Sequence, residues 1–463
     1  MKTKILLALG TSVMLFSACS LAPEYQKPSL ELPVAQKEVS INADWFKGFN
    51  DKKLDLLIAE ALKNNDDLKL AVVNVQKARA QYDISKADLY PQIDLNAAAT
   101  RQKRSVNAFP GAFGGLYNDY SMSASVAYEV DFWGKNLNQK DANLANFLAV
   151  DANKETLRIS LITDVATYYF NLVAAEEQLK IAKENLQNYE ETLEYREKQY
   201  KYGVIDSLIV AQAKAEVASV KTKIEGIKVS KVKLQSALVI LLGRSPKEIF
   251  ESNIDTDTKL PEFMDIPTTL PTNLLENRPD IKIAEENLKA KTALIGVAKA
   301  AYFPNISITG NYGYQSQKTG NLTSGDSQVW GIGPSLYMPL FDFGRISAAV
   351  DVSNAEQKAA LITYDKAVKN AYKEVFDSLQ SIKAIQSKKE AMEQQVAAYQ
   401  EAYDVANKKF SVGTTSYLDL LIAQSLLLNA QLAYITTKSE LLIEEATFYK
   451  ALGGGWKEDR LKL

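Results

Sequence analysis

The chain has 463 residues, of which 46% are hydrophobic and 24% are charged, as is ordinary for a folded protein. It contains no histidine and one cysteine, which excludes imidazole catalysis, Ser-His and Cys-His nucleophiles, most zinc sites and an internal disulfide. The formal net charge is −2 and no basic patch is present, which argues against nucleic acid as a partner. We therefore expect no enzyme, no cofactor and no metal site.

The N-terminus has the pattern of a lipoprotein signal. Lys2 and Lys4 form a short basic region, and the apolar run after them is too short for a transmembrane helix. The run ends in small residues directly before Cys19, which resembles a bacterial lipobox. We predict that residues 1–18 are a signal peptide and that acyl chains on Cys19 anchor the mature chain in outer-membrane lipid. A secretory signal with an incidental cysteine is the alternative.

Residues 19–50 contain several prolines and are predicted to be an extended linker. A first repeat is predicted over residues 51–243, and it begins with a helix. Apolar residues recur at helical spacing from Asp51 to about Leu89, and Tyr90-Pro91 ends the pattern.

A β-hairpin is predicted over residues 91–131, with a loop over Arg101–Gly115. Successive side chains of a strand point to opposite faces, so residues two apart share a face. In the second strand, the lipid-facing side is predicted to carry Tyr120, Met122, Val126 and Tyr128. The lumen-facing side is predicted to carry Asp119, Ser121, Ser123, Ser125 and Glu129. A tilted strand of ~10 residues crosses a bilayer, although a half-buried strand of a soluble sheet has the same pattern.

A long helix pair is predicted over residues 137–243. Its apolar residues follow spacings of four and three, which is typical of a coiled coil. The first helix, from about Leu137 to Tyr200, would be ~95 Å long at the usual rise per residue. Gly203 ends it, and the second helix, Ser207 to Leu242, is expected to run antiparallel to the first.

The same order of elements occurs twice. Leu89-Tyr90-Pro91 recurs as Tyr302-Phe303-Pro304 after 213 residues, and Gly203 recurs as Gly413 after 210 residues. Such a period indicates an internal duplication. The segment 244–271, which contains four prolines, is predicted to be a connector.

The second repeat, 272–452, is predicted to contain a helix, a hairpin over residues 303–341 and a long helix pair over 345–452, followed by a tail over 453–463. The lipid-facing side of its hairpin is predicted to include Trp330, Ile332 and Leu336. Each chain thus supplies four membrane-type strands, and the smallest membrane barrels have about eight. The chain must therefore associate, with two copies giving about eight strands and three giving about twelve.

Several motifs occur in a characteristic order. They are Tyr128 to Lys135, the signature Arg278-Pro279-Asp280-Ile281, Tyr302-Phe303-Pro304, Gly413 followed by Tyr417-Leu418, and Leu452 to Trp456. With these motifs the chain resembles the TolC-like outer-membrane factors, specifically the lipoprotein branch of tripartite efflux systems of the resistance-nodulation-division type. The resemblance extends from Cys19 to Trp456.

This resemblance implies a mainly α-helical protein with a membrane β-barrel. Long antiparallel helical hairpins would form a trimeric periplasmic tunnel, and the homotrimer would have a twelve-stranded barrel in the outer membrane of a Gram-negative bacterium. The implied partners are a periplasmic adaptor protein and an inner-membrane transporter. The implied function is a passive exit duct for drugs or other small toxic compounds.

The resemblance also implies a gate where the helix pairs turn, at Gly203 and Gly413. Leu418 matches the apolar position of the family's constriction, and Asp419 would supply a ring of carboxylates that attracts cations. Relatives often have an acid where Ile422 stands and a base where Ser425 stands, so this chain departs from the usual ionic lock. Asp419 could instead cap a helix start.

Three other functions remain open from the sequence. The chain could be the exit duct of a metal-ion efflux system or of a type I protein secretion system. From a different class, it could be a surface-anchored coiled-coil lipoprotein scaffold without a pore.

Overall fold

The computed structural model describes residues 20–28, 42–105, 115–251, 254, 259–264 and 278–456. The predicted signal peptide 1–18 and the lipidation site Cys19 lie outside the described residues, as do much of the linker and connector and the tail from residue 457. The chain forms two compact units. The strand unit comprises Met1–Leu30, Asn74–Asp151 and Ile283–Asp365, and the helical unit comprises Glu31–Val73, Ala152–Lys282 and Lys366–Leu463.

Helices account for most of the described chain. In order they are α1 Lys52–Asn64, α2 Asp66–Ala87, α3 Lys135–Lys201, α4 Ser207–Leu241, α5 Pro246–Glu251, α6 Pro279–Ala300, α7 Arg345–Ser411 and α8 Tyr417–Ala451. The helices α3 and α7 each have 67 residues, and α4 and α8 each have 35. This equality confirms the predicted internal duplication of a mainly α-helical chain.

The helix expected from Asp51 to about Leu89 is divided in two at Asn65. Its Nδ2 donates a hydrogen bond to the carbonyl oxygen of Leu241 at 3.0 Å, and its Oδ1 accepts one from the backbone N–H of Leu68 at 2.9 Å. The side chain thus caps α2 while it holds the end of α4. The single continuous helix was therefore a wrong prediction, because a capping asparagine interrupts an otherwise helical pattern.

Four strands form one antiparallel sheet in the strand unit. They are β1 Gln92–Arg104, β2 Gly115–Glu129, β3 Asn305–Ser316 and β4 Gln328–Tyr337, in the order β1-β2-β3-β4. The two hairpins therefore pair with each other through β2 and β3, which belong to different repeats. The strand β1 continues to Arg104, so the loop predicted from Arg101 begins later than expected.

The main core of the helical unit combines many aliphatic side chains with several aromatic ones. Trp45 stacks on Tyr449 at 4.9 Å between ring centres, and the buried Tyr169 donates its hydroxyl to Asp51 at 2.7 Å. Glu445 of α8 is fully buried in the same unit and accepts a hydrogen bond from the backbone N–H of Met264 at 3.3 Å. Burial raises the pKa of Glu445 to about 8.

The signature that begins at Arg278 ties three elements of the helical unit together. Its buried guanidinium donates to the carbonyl oxygen of Ala451 at the end of α8, to Asp280 and to Glu374, each at 2.6 Å. A cation at a helix C-terminus satisfies carbonyl groups that the helix leaves unpaired. The role of the motif in these contacts is structural, because it links α6, α7 and α8.

Candidate functional site

The register of the sheet brings the predicted lipid-facing residues onto one face. Residues directly opposite in an antiparallel ladder share a face. Val126 pairs with Ile93 and with Gly310, and Gly310 in turn pairs with Ile332. The predicted residues on this apolar face are Tyr120, Met122, Val126, Tyr128, Trp330, Ile332 and Leu336. Trp330 is 72% exposed and Ile332 is 73% exposed, so the face is apolar and uncovered in the chain.

The predicted lumen-facing residues share the opposite, polar face of the sheet. This face carries Asp119, Ser121, Ser123, Ser125 and Glu129. Asp119 accepts a hydrogen bond from Gln315 of β3 at 2.9 Å, and Ser125 accepts one from Asn96 of β1 at 3.2 Å. Glu129 forms an ion pair with Lys135 at 3.0 Å. The sheet thus has polar and charged side chains on one face and apolar side chains on the other.

Polar residues on the neighbouring strands β1 and β3 extend the polar face. They include Asn96, Ser307, Asn311 and Gln315. The alternation of apolar and polar residues along 92–100 and 306–312 is visible in the sequence, and the register pairs these polar residues with the predicted lumen-facing residues of β2.

Both edges of the sheet are open. Among the described residues, β1 pairs with β2 alone and β4 pairs with β3 alone. Unpaired backbone groups cost several kcal/mol each in hydrocarbon, so a sheet in a membrane requires closure. The sheet of one chain is therefore incomplete as a membrane structure.

The helix pairs turn at glycines. Gly203 has a φ of +74° and Gly413 a φ of +77°, in the left-handed region that favours glycine. At each turn two backbone N–H groups donate back to carbonyl groups of the preceding helix, from Gly203 and Val204 at the first turn and from Gly413 and Thr414 at the second. We call the turn at Gly203 with the start of α4 the first tip, and the turn at Gly413 with the start of α8 the second tip.

At the second tip, Asp419 belongs to a capping box. The hydroxyl of Ser416 accepts from the backbone N–H of Asp419 at 3.1 Å, and the Asp419 carboxylate accepts from the backbone N–H of Ser416 at 3.2 Å. The hydroxyls of Ser416 and Thr415 also donate to this carboxylate, and hydrogen bonds from Ser416, Thr415 and the Ser416 backbone lower the pKa of Asp419. Asp419 is exposed, so its charge remains accessible to solvent.

Leu418 lies on an exposed apolar stripe of α8. Leu418 is 48% exposed, and Ile422 and Leu426, which follow at four-residue spacing, are also exposed. Tyr417, Leu420 and Leu421 point the other way, into a buried cluster. The sequence prediction missed Ile422 and Leu426, although their spacing places them on the face of Leu418.

The first tip has a simpler helix start. Asp206 caps α4 by accepting from the backbone N–H of Leu208 at 2.8 Å. Leu208 occupies the position equivalent to Leu418 and is 61% exposed. No cluster of three potential metal ligands of the His, Cys, Asp and Glu types occurs in the described part of the chain.

Comparison with known proteins identifies the family. A family model described as outer membrane efflux protein matches residues 57–244 and 270–454, one segment in each repeat. The chain is 33% identical to the antibiotic efflux pump outer membrane protein ArpC of Pseudomonas putida, over 98% of this chain and 96% of that protein. It is 31% identical to the cation efflux system protein CusC of Escherichia coli, over 96% and 97% of the two chains.

Solved structures agree with this result. The crystal structure of the Campylobacter jejuni CmeC outer membrane channel matches with a TM-score of 0.91 and 30% identity, over 95% of this chain and 96% of that chain. The resemblance inferred from the motifs is therefore confirmed, as are the outer-membrane location and a transport rather than an enzymatic function. The chain belongs to the outer membrane efflux protein family and is an efflux channel of the outer membrane.

Proposed function

We propose that three copies of this chain close a twelve-stranded barrel and serve as the passive exit duct of a tripartite pump. The two-faced sheet with two open edges carries this proposal. Four strands per chain are too few to close a membrane barrel, whereas three chains supply a number within the range of known barrels. The helix pairs would continue as a periplasmic tunnel, and an inner-membrane transporter, joined through a periplasmic adaptor, would supply the energy.

The proposal includes the domain organisation predicted from the sequence. A signal peptide (1–18) precedes a linker (19–50) that acylated Cys19 anchors in outer-membrane lipid. Two repeats (51–243 and 272–452), joined by a connector (244–271), then form the duct, and a short tail (453–463) follows.

We further propose that the second tip forms the gate. The exposed Leu418 and Asp419 support this role, because they combine an apolar constriction with a charge that favours cations. In this proposal the capping box holds the Asp419 carboxylate in a fixed position.

Drugs or other small toxic compounds are the proposed substrates, in line with the antibiotic efflux relative. A cation is the second candidate, because CusC is named for cation efflux and is similar over nearly the whole chain. The absence of histidine leaves no imidazole along the duct to bind soft metal ions, which favours the first candidate.

Single-channel conductance in a planar bilayer tests the duct and the gate together. We expect a small conductance for the wild type and a larger one for Leu418→Ser/Asp419→Ala. The matched control is Leu208→Ser at the first tip, which should leave the conductance unchanged. An absence of conductance in well-folded trimers would instead support the scaffold alternative. An unchanged conductance in Leu418→Ser/Asp419→Ala would place the gate elsewhere, and equal effects at both tips would show that both tips contribute to it.

The faces of the sheet are tested by a pair of adjacent substitutions in β2. Val126→Arg puts a charge on the apolar face and is expected to impair membrane insertion, at a cost of ~2–4 kcal/mol near the bilayer centre. Ser125→Arg puts the same charge on the polar face and should fold normally. Similar losses in both variants, measured as trimer yield in outer membranes, would contradict the proposed faces.

A further inference from the structure

A buried arginine joins the two helix pairs next to the second tip. Arg196 of α3 is 7% exposed, and its guanidinium carbon lies 4.5 Å from the ring centre of Phe410 and 4.8 Å from that of Tyr417. Phe410 lies in the last turn of α7, and Tyr417 is the first residue of α8. A cation of the first helix pair is therefore enclosed by rings from both helices of the second pair.

The hydrogen bonds of this arginine are only partly satisfied. Its Nη1 donates to Gln199 at 2.6 Å, whereas its Nε is buried without a hydrogen-bond partner among the described residues. The same holds for the hydroxyl group of Tyr189 and for one carboxylate oxygen of Glu216, and the hydroxyl group of Tyr417 lies close to Arg196 without a well-aligned hydrogen bond. The Glu216 carboxylate adds to the effect of burial in raising the pKa of Tyr189, yet the two groups form no well-aligned hydrogen bond.

Arg196 packs against two aromatic rings and lacks one hydrogen-bond partner. Such a contact is stable at rest and can also be released. A desolvated guanidinium is attracted to the faces of aromatic rings. An unpaired buried donor carries a penalty, which hydration removes when the side chain moves into water. Withdrawal of Arg196 from the rings would therefore lose the ring contacts and recover hydrogen bonds for Nε.

We propose that Arg196, Phe410 and Tyr417 form a cation–π clamp that holds the second tip in its resting position. Opening of the gate requires Arg196 to leave the two rings. This inference rests on the proposed function as a gated duct.

Conductance of clamp variants provides the first test. Arg196→Met keeps an unbranched apolar stem and removes the charged guanidinium, and Phe410→Leu removes one of the two rings. Both are expected to raise single-channel conductance several-fold, and Arg196→Lys is expected to raise it less because the ammonium retains the charge. The control is Lys198→Ala, which removes an exposed ion pair from the same helix and should match the wild type.

Trypsin cleavage at the second tip provides a readout that needs no pore. Lys408 and Lys409 are exposed in the last turn of α7, beside Phe410. Cleavage there is expected to become several-fold faster in Arg196→Met and in Phe410→Leu, while helical content remains that of the wild type. If Arg196→Met does not fold, Phe410→Leu and Arg196→Lys decide the test.

The outcomes separate the clamp from the proposed function. If the wild type conducts and Leu418→Ser alters conductance, an unchanged or lower conductance in both Arg196→Met and Phe410→Leu overturns the clamp alone. If folded wild-type protein does not conduct, the proposed function fails. Faster cleavage then still supports a clamp at the tip, and unchanged cleavage overturns it.

Discussion

The two tips have the same backbone and different side chains. Each has a glycine in the left-handed region, and the helices on either side have equal lengths in the two repeats. The residues at the start of the second helix of each pair, α4 and α8, differ: Ser207 corresponds to Tyr417, and Ile209 corresponds to Asp419. The first tip therefore has a single capping contact, whereas the second has a capping box and a buried aromatic ring. The two repeats thus share the turn, and the second tip has additional contacts that fix the start of its helix.

The largest expected difference between the tips is in the free energy of unfolding after substitution of the first residue of α4 or of α8. Tyr417→Ala empties a buried ring position and should lower the free energy of unfolding by about 3–5 kcal/mol. Ser207→Ala changes an exposed residue at the equivalent position and should stay within about 0.5 kcal/mol. Unfolding followed by circular dichroism in detergent measures both. Tyr417→Phe is the control, and it should be close to neutral because it keeps the buried ring and the hydroxyl group forms no well-aligned hydrogen bond. Equal losses in the two alanine variants would show that the tips are equivalent in packing.

A second pair of variants tests the shared backbone. Gly203→Ala and Gly413→Ala should each cost about 1–2 kcal/mol, because a left-handed conformation strains any residue with a Cβ. Neither site has an atom within 4 Å of an added Cβ, so the strain alone should set the cost, and the two losses should agree. Gly226→Ala in the middle of α4 is the control and should stabilise the helix by about 0.5–1 kcal/mol. Clearly unequal losses at the two turns would contradict the shared geometry.

The capping box should give a smaller effect that is specific to the second tip. Ser416→Ala is expected to cost about 1 kcal/mol through loss of the helix cap. In a double-mutant cycle with Asp419→Ala, the two positions should couple by about 0.5 kcal/mol or more, because they hydrogen-bond to each other. The equivalent pair, Asp206 and Ile209, should show no coupling. Additive effects at the second tip would mean that the box contributes no stability as a unit.

The smallest effect concerns pH. Hydrogen bonds lower the pKa of Asp419 below its usual value of 3.8, so the ionised carboxylate stabilises the folded helix start above that pH. The contribution is lost as the pH falls through the lower pKa of the folded state. The difference in thermal midpoint between wild type and Asp419→Asn should therefore be constant from neutral pH to about 4 and then disappear. A difference that already disappears between pH 6 and 5 would contradict the lowered pKa.

Local patterns in the sequence were sufficient for much of this architecture. Alternation along β2 predicted which residues share a face, and the glycines at 203 and 413 predicted the turns. The break at Asn65 was missed, because an asparagine within a helical pattern does not show whether its side chain will cap a new helix. The strand boundary near Arg101 was missed for a similar reason, since polar residues continue a strand when a neighbouring strand pairs with them.

Contacts between the repeats could not be predicted from periodicity. Asp119 meets Gln315 across 196 residues of sequence, and Arg196 meets Phe410 and Tyr417 at a comparable separation. Neither contact follows from spacing within one helix or strand, because each depends on how the repeats pack in three dimensions. The predicted gate residues Leu418 and Asp419 came from the family motif, and the helix cap that the contacts of Asp419 form was the alternative that the sequence had left open.

The pairing of β2 with β3 also has a consequence for biosynthesis. The ribosome completes β2 long before it synthesises β3. The first hairpin therefore emerges from the ribosome with both of its edges unpaired and with an exposed apolar surface. Such edges are templates for aggregation, and pairing between distant segments of a chain is slow. The nascent chain must therefore be shielded until its second half arrives, and each finished chain must be shielded again until it meets its neighbours.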